Sequence, residues 1–268
     1  MKLLKIGSAL LALTLAMAGN NASAQDFKAK LVQAGVITVA TSGSAPPFSM
    51  TDATGKLDGF DIDVMNRIST ELGVPVRYTQ VDFAGLLPGL TAGRFDVVAS
   101  GVTRTPQRLT STEFKLLSPY IVNGVAITRR AGDTRINSWK DVCGKRMGGV
   151  RGGIFQKMAT DKLPAGCATE IREYPGFSEM LLDLGNNRID FMAHDYLGPN
   201  FQKMQTKANI DVLPDVIDTI TQSVAVSAKN PELADTIEKL LAKWRGDKSL
   251  DAMIKKRFGG SLDWSVVK

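Results

Sequence analysis

Cysteine, histidine and long apolar runs are scarce in this 268-residue chain, and each scarcity closes off a class of chemistry. The two cysteines, Cys143 and Cys167, form no C-x-x-C pair, so thioredoxin-like redox work and cysteine-rich zinc sites lack their ligands. His194 is the only histidine, which removes H-E-x-x-H zinc chemistry. No G-x-S-x-G is present to form a nucleophile elbow. The stretch "GGVRGG" (148–153) has the spacing of neither a dinucleotide fingerprint nor a phosphate-binding P-loop. No metal and no cofactor are therefore expected. Basic residues exceed acidic ones only mildly, 33 against 27. The one dense run, Lys255-Lys256-Arg257, has no aromatic platform beside it, so it reads as a solvated helix face and no nucleic-acid partner is expected.

The only long apolar run, Ile6 to Ala18, follows Lys2 and Lys5 and precedes Ala22-Ser23-Ala24, an A-x-A cleavage pattern. Residues 1–24 are expected to be a signal peptide, too short in its apolar part for a comfortable membrane span. No cysteine follows that could carry a lipid anchor. A soluble periplasmic protein is the expectation. In such a compartment two cysteines favour one disulfide, Cys143–Cys167, over a pair of free thiols.

What is present is an alternation of short apolar strands with helical patterns, which indicates an α/β fold. Strands are expected at 36–40, 76–80, 95–99, 147–150 and 189–193. Helices are expected from Asp61, as cap, through Leu72, over 85–92, after Gly153, and over 178–184, 231–244 and 250–258. "LLPGLTAGRFDVVAS" (86–100) matches "MLLDLGNNRIDFMAH" (180–194) in form, with Arg94 over Arg188 and Asp96 over Asp190. Two similar lobes follow from this repeat. Their strand ends, Ser100-Gly101 and His194-Asp195, would face a shared cleft, because open α/β sheets bind ligands beyond their strands' carboxyl ends. The extended segments 120–127 and 219–226 are expected to cross between lobes as a two-stranded hinge.

One arginine stands out. Thr105 suits a helix N-cap and Pro106 the first helical position, which places Arg108 in the first turn. The helix dipole disfavours a cation there by roughly 0.3–1 kcal/mol. Either a carboxylate such as Glu113 or an anionic ligand would relieve it.

The ordered set "VATSGSAPPFS" (39–49), "GKLDGFDIDVMNRI" (55–68), "VDFAGLLPGLTAGRFDVVASGVTRTPQR" (81–108), "VCGKRMGGVRGG" (142–153) and "RIDFMAHD" (188–195) resembles the polar amino-acid solute-binding proteins of ABC importers along nearly the whole chain. The resemblance implies a two-lobed type II periplasmic-binding fold, each lobe a mostly parallel sheet flanked by helices. Lobe 1 would comprise 25–121 and 222–268, and lobe 2 122–221. It implies a free amino acid as ligand, the membrane permease of an ABC importer as partner, and a monomer. Carried over by position, Arg108 would grip the α-carboxylate, aided by Thr103 and by backbone at Gly153 and Ile154. Asp195, with the Gly101 carbonyl, would take the α-ammonium. Phe83 would wall the ligand side chain, with Ser100, His194, Ser42 and Ala45 nearby. Ser42 stands where receptors for basic amino acids often carry aspartate, so a neutral polar ligand is expected ahead of an acidic one held by Arg151. The competing expectation is an enzyme similar to cyclohexadienyl dehydratases, with His194 and Asp195 as the candidate acid or base. Asp61 and Asp63 are read as helix-start residues rather than a catalytic pair.

Overall fold

Ten strands hydrogen-bond side by side in the computed structural model, which describes residues 27–259; the expected leader, 1–24, lies outside the described residues. The first half contains β1 (Ile37–Thr41), β2 (Ser44–Ala45), β3 (Ser49–Thr51), β4 (Leu57–Asp58), α1 (Phe60–Leu72), β5 (Val76–Gln80), α2 (Phe83–Thr91), β6 (Val97–Thr103), α3 (Pro106–Leu109) and β7 (Phe114–Leu116). The chain crosses on β8 (Ile121–Arg130) into β9 (Arg146–Val150), α4 (Phe155–Asp161), β10 (Glu170–Tyr174), α5 (Phe177–Gly185), β11 (Phe191–Asp195), α6 (Leu197–Thr206) and β12 (Ile210–Val212). It returns on β13 (Ile217–Ser227) and closes with α7 (Pro231–Gly246) and α8 (Ser249–Phe258).

The strand order β10-β9-β11-β8-β13-β6-β1-β5 reads the same from either end. In each half three parallel strands put the first in the middle, and an antiparallel crossing strand follows the third. The crossing strands β8 and β13 pair antiparallel with one another, which makes the expected two-stranded hinge. The repeat seen in sequence is α2–β6 laid over α5–β11. Its shared aspartate is a staple: Asp96 accepts from Thr38 N–H (2.8 Å) and Asp190 from Arg146 N–H (2.9 Å), each tying the third strand to the start of the first. Beside the Arg146 guanidinium the Asp190 carboxyl falls to about 2. These aspartates therefore serve the sheet, not the cleft.

Apolar strand residues bury on both faces, as helix-covered parallel sheets require. One large cluster joins α1, α7 and α8 to β1 and β6, around Trp244, Phe60 and Met65. In the second half one cluster joins Trp139 and Phe191, and another Phe177, Met180 and Ile189.

Three local expectations are corrected. Asp61 does not cap α1; the N-cap is Gly59, at φ 136°, and Asp61 is fully buried. The strand expected to stop at Ala99 runs on to Thr103, because its polar tail pairs Val102 with Ser223 and Thr103 with Gln222 past a register shift. Helix α2 starts at Phe83, two residues before its expected start.

Cys143 and Cys167 are bonded, with Cα atoms 5.1 Å apart, and enclose β9 and α4. Closing a loop of that length restricts the unfolded chain by about 3 kcal/mol in the chain-entropy account. Cys143→Ser/Cys167→Ser should lower unfolding free energy by about that amount in urea titration. Ligand affinity in native buffer should be unchanged, since neither cysteine lines the cleft.

Candidate ligand-binding site

A crevice of about 510 Å3, its open mouth included, lies between the halves at the carboxyl ends of β6, β9 and β11. Arg108, Thr103, Ser100, Gly101, Phe83 and Ala45 line it from the first half, and Gly153, Ile154, His194 and Asp195 from the second. Ser42 does not line it. Its hydroxyl lies 2.8 Å from Ser100 Oγ and its N–H donates to the same oxygen (3.1 Å), so it braces a lining residue from behind. Arg151 is exposed and also outside the lining.

Arg108 sits in the single-turn α3, where Thr105 Oγ1 accepts from the Arg108 N–H (3.2 Å) and Pro106 occupies the first turn. Its guanidinium donates to Thr103 O (3.1 Å) and, across the crevice, to Gly152 O (3.4 Å). Among the described residues no carboxylate lies within ion-pair reach of it, Glu113 included. Burial alone pulls its pKa down. It is a partly buried cation that faces the cavity without a carboxylate in ion-pair contact.

Asp195 ends β11, 2 % exposed. Its Oδ1 accepts from Gly198 N–H (2.7 Å) and Asn123 Nδ2 (2.9 Å). Oδ2 lies 2.9 Å from His194 Nδ1, but the ring N–H is not aligned for a hydrogen bond. Burial pushes the Asp195 carboxyl up; the imidazole, the Gly198 N–H and the Asn123 amide outweigh it, so the group stays below the ordinary value and ionised. The His194 ring is wedged between Phe155 and Phe177, 5.0 Å from each centroid. The ring forms part of the cavity wall.

The remaining carriers are backbone and apolar. Gly153 N–H is taken by Val150 O (2.8 Å), while the Ile154 N–H makes no such bond. Phe83 packs against core clusters of both halves, closing the side of the cavity. Gly101, at φ +63°, lets Phe48 approach: a Cβ there would stand 2.9 Å from Phe48 Cδ2. Its carbonyl accepts from Gln222 Nε2 (3.1 Å), and Asn123 Nδ2 reaches Gln222 Oε1 (3.3 Å). A polar chain thus runs through the hinge from Asp195 to Gly101. Sequence reading missed Gln222, Phe48, Phe155 and Ser44 as lining residues. The signal for Gln222 was a polar residue amid apolar ones on a crossing strand.

Below Gly101 lies Asp61, which accepts from Gly101 N–H (2.7 Å) and Tyr120 Oη–H (2.6 Å). Burial, the largest influence, lifts its carboxyl from 3.8 to about 7, against both hydrogen bonds. Between about pH 4 and 7 the folded chain then holds a proton that the unfolded chain has released, so this group's contribution to stability falls as pH rises. Asp61→Asn should flatten that slope: the melting-temperature difference between variant and parent should grow from pH 4 to pH 7 in the variant's favour. A difference independent of pH would contradict it.

A sheet of two like-ordered halves, hinged on two antiparallel strands with a crevice between them, defines a two-lobed type II periplasmic-binding fold. Residues 37–260 match the model of the bacterial extracellular solute-binding proteins, family 3, and the chain belongs to that family. Among relatives, it is 27 % identical over 242 residues to the L-cystine-binding protein TcyA of Bacillus subtilis (strain 168), covering 90 % of this chain and 87 % of that one. It resembles a solved ancestral arginine-binding protein bound to glutamine, at TM-score 0.76 and 31 % identity over 85 % of this chain and 99 % of the other. It also resembles an ancestral amino acid-binding protein described as a precursor of cyclohexadienyl dehydratase, at TM-score 0.75 and 27 % identity over 84 % and 96 %.

Proposed function

We propose that this protein is a periplasmic receptor that captures one free α-amino acid with a neutral, polar side chain and presents it to the permease of an ABC importer. The observation that carries this reading is the pair of unmatched charges: Arg108 without a carboxylate, and Asp195 without a lysine or arginine, lining one crevice from opposite lobes. An α-amino acid zwitterion supplies both counter-charges at once. Arg108 takes the carboxylate on its planar fork, with the Thr103 hydroxyl and Ile154 N–H beside it. Asp195 Oδ2 takes the ammonium. Each lobe holds one end, so ligand stabilises the closed state by bridging them.

The side-chain preference follows from what else lines the cavity. Asp195 is its only carboxylate and Arg108 its only lysine or arginine, so a third ligand charge would find no partner. Ser44, Ser100 and Gln222 offer hydrogen bonds among Phe83, Phe155 and Phe48. An enzymatic reading requires a protonated acid in the cleft. The sole carboxylate lining the cleft is ionised, which favours the binding reading.

A thermal-shift panel of L-glutamine, other neutral amino acids, L-arginine, L-glutamate and L-cystine tests this. A neutral amino acid at a hundredfold excess over its Kd should add about 2.7 kcal/mol of stability. A shift with arginine or glutamate alone would overturn the side-chain assignment. No shift with any amino acid, together with turnover of prephenate or arogenate to an aromatic product, would overturn the receptor reading.

A further inference from the structure

At three points the first lobe comes up against a glycine of the second. A Cβ on Gly152 would stand 2.7 Å from Ala84 Cα. One on Gly176, just before α5, would stand 2.7 Å from Ser44 Cβ. One on Gly198, in the first turn of α6, would stand 2.7 Å from Pro46 O. Real Cβ atoms do not approach neighbours that closely, so three separate points of the first lobe rest on three bare glycines of the second. Apolar packing also spans the seam, with Phe83 against a second-lobe cluster and Leu197 in the large first-lobe cluster. Across the cleft Arg108 donates a long hydrogen bond to Gly152 O (3.4 Å).

We infer that Gly152, Gly176 and Gly198 form a seat whose bareness sets how far the lobes close, and so how tightly ligand is held, without any of the three contacting ligand through a side chain. Gly176 isolates the effect. Its φ of −155° is extended backbone open to any residue, so alanine adds a methyl without backbone strain. Gly152, at φ +74°, would confound strain with contact, and Gly198 N–H holds Asp195. A methyl at Gly176 pushes against Ser44, and the lobes must part to accept it. A receptor whose closed state is disfavoured binds more weakly in proportion to the closed fraction lost.

This inference rests on the cleft being the amino-acid site, and the test separates the two. Isothermal titration with L-glutamine, or the amino acid with the largest shift in the panel, is run on the parent, Gly176→Ala, Ser44→Gly and the double variant, with X-ray scattering of free and saturated protein. Gly185→Ala, in the same helix with nothing within 4 Å of its Cβ, is the control. Gly176→Ala should raise Kd roughly tenfold or more and keep a larger radius of gyration at saturation. Adding Ser44→Gly should return most of that loss relative to Ser44→Gly alone, and Gly185→Ala should match the parent. Parental affinity for Gly176→Ala, or no recovery in the double variant, overturns the seat. If Gly176→Ala does not fold, recovery of folding and affinity by Ser44→Gly still supports it, and failure of both overturns it. A parent that binds no amino acid sinks the ligand assignment instead, and the scattering difference between free parent and free Gly176→Ala then decides the seat alone.

Discussion

Arg108→Ala should leave a folded protein that no longer binds amino acids measurably. Truncating one member of a buried, hydrogen-bonded charge pair costs about 2–5 kcal/mol, which is roughly thirtyfold to several-thousandfold in Kd. The loss falls on binding rather than folding because the guanidinium holds only two carbonyls, Thr103 O and the distant Gly152 O, and no carboxylate. Removing a partly buried cation without a carboxylate in contact relieves the free protein, so its urea midpoint should equal or exceed the parent's. Arg108→Lys should fall between the two, keeping the charge but losing the two-pronged geometry. Calorimetry on the three proteins checks the order. Equal affinity for parent and Arg108→Ala would place the ligand elsewhere.

Arg108 could be singled out in the sequence as a cation near a helix start. The helix is the single turn Pro106–Leu109, with Arg108 equally in its last turn, so the dipole carries little weight there. The lack of a carboxylate partner carries the prediction. The overall frame was equally legible. Apolar strand periods, the R-[F/I]-D repeat and two extended segments were enough for a hinged pair of like sheets, because these are local patterns reporting burial. What was lost was whatever depends on approach in space. Asp61 reads as a helix cap because aspartate near a helix start usually is one. Its burial beneath Gly101 follows from Tyr120, 59 residues on, arriving with a hydroxyl. Ser42 was expected in the cleft because its loop borders it, but its hydroxyl is bonded to Ser100, which lines the crevice while Ser42 does not. The seat glycines look like ordinary turn and cap residues until the opposite lobe is laid against them. Strand β6 was cut short because its polar tail breaks the apolar period, while its pairing is secured by backbone bonds that β13 supplies.

Asp195→Asn should be nearly as damaging as Arg108→Ala, for a reason the hydrogen bonds make specific. Oδ1 accepts from both the Gly198 N–H and the Asn123 amide, so an asparagine at this position must keep its oxygen there. The new NH2 is then forced onto the Oδ2 position, beside His194 and facing the ligand's ammonium. The substitution therefore removes an anion and presents a donor to a cation. A loss of about a hundredfold or more in affinity is expected, on the 2–5 kcal/mol scale of broken charge pairs. The free protein should stay folded, because both donors to Oδ1 keep their acceptor. The outcome also discriminates between functions. A receptor needs Asp195 only for its charge, so Asp195→Asn should weaken every α-amino acid alike, while ligands lacking the α-amino group should bind the variant and the parent with similar weak affinity. If amino-acid affinity survives the change, Asp195 serves only the turn at Gly198, and the cleft does not hold its ligand from both sides.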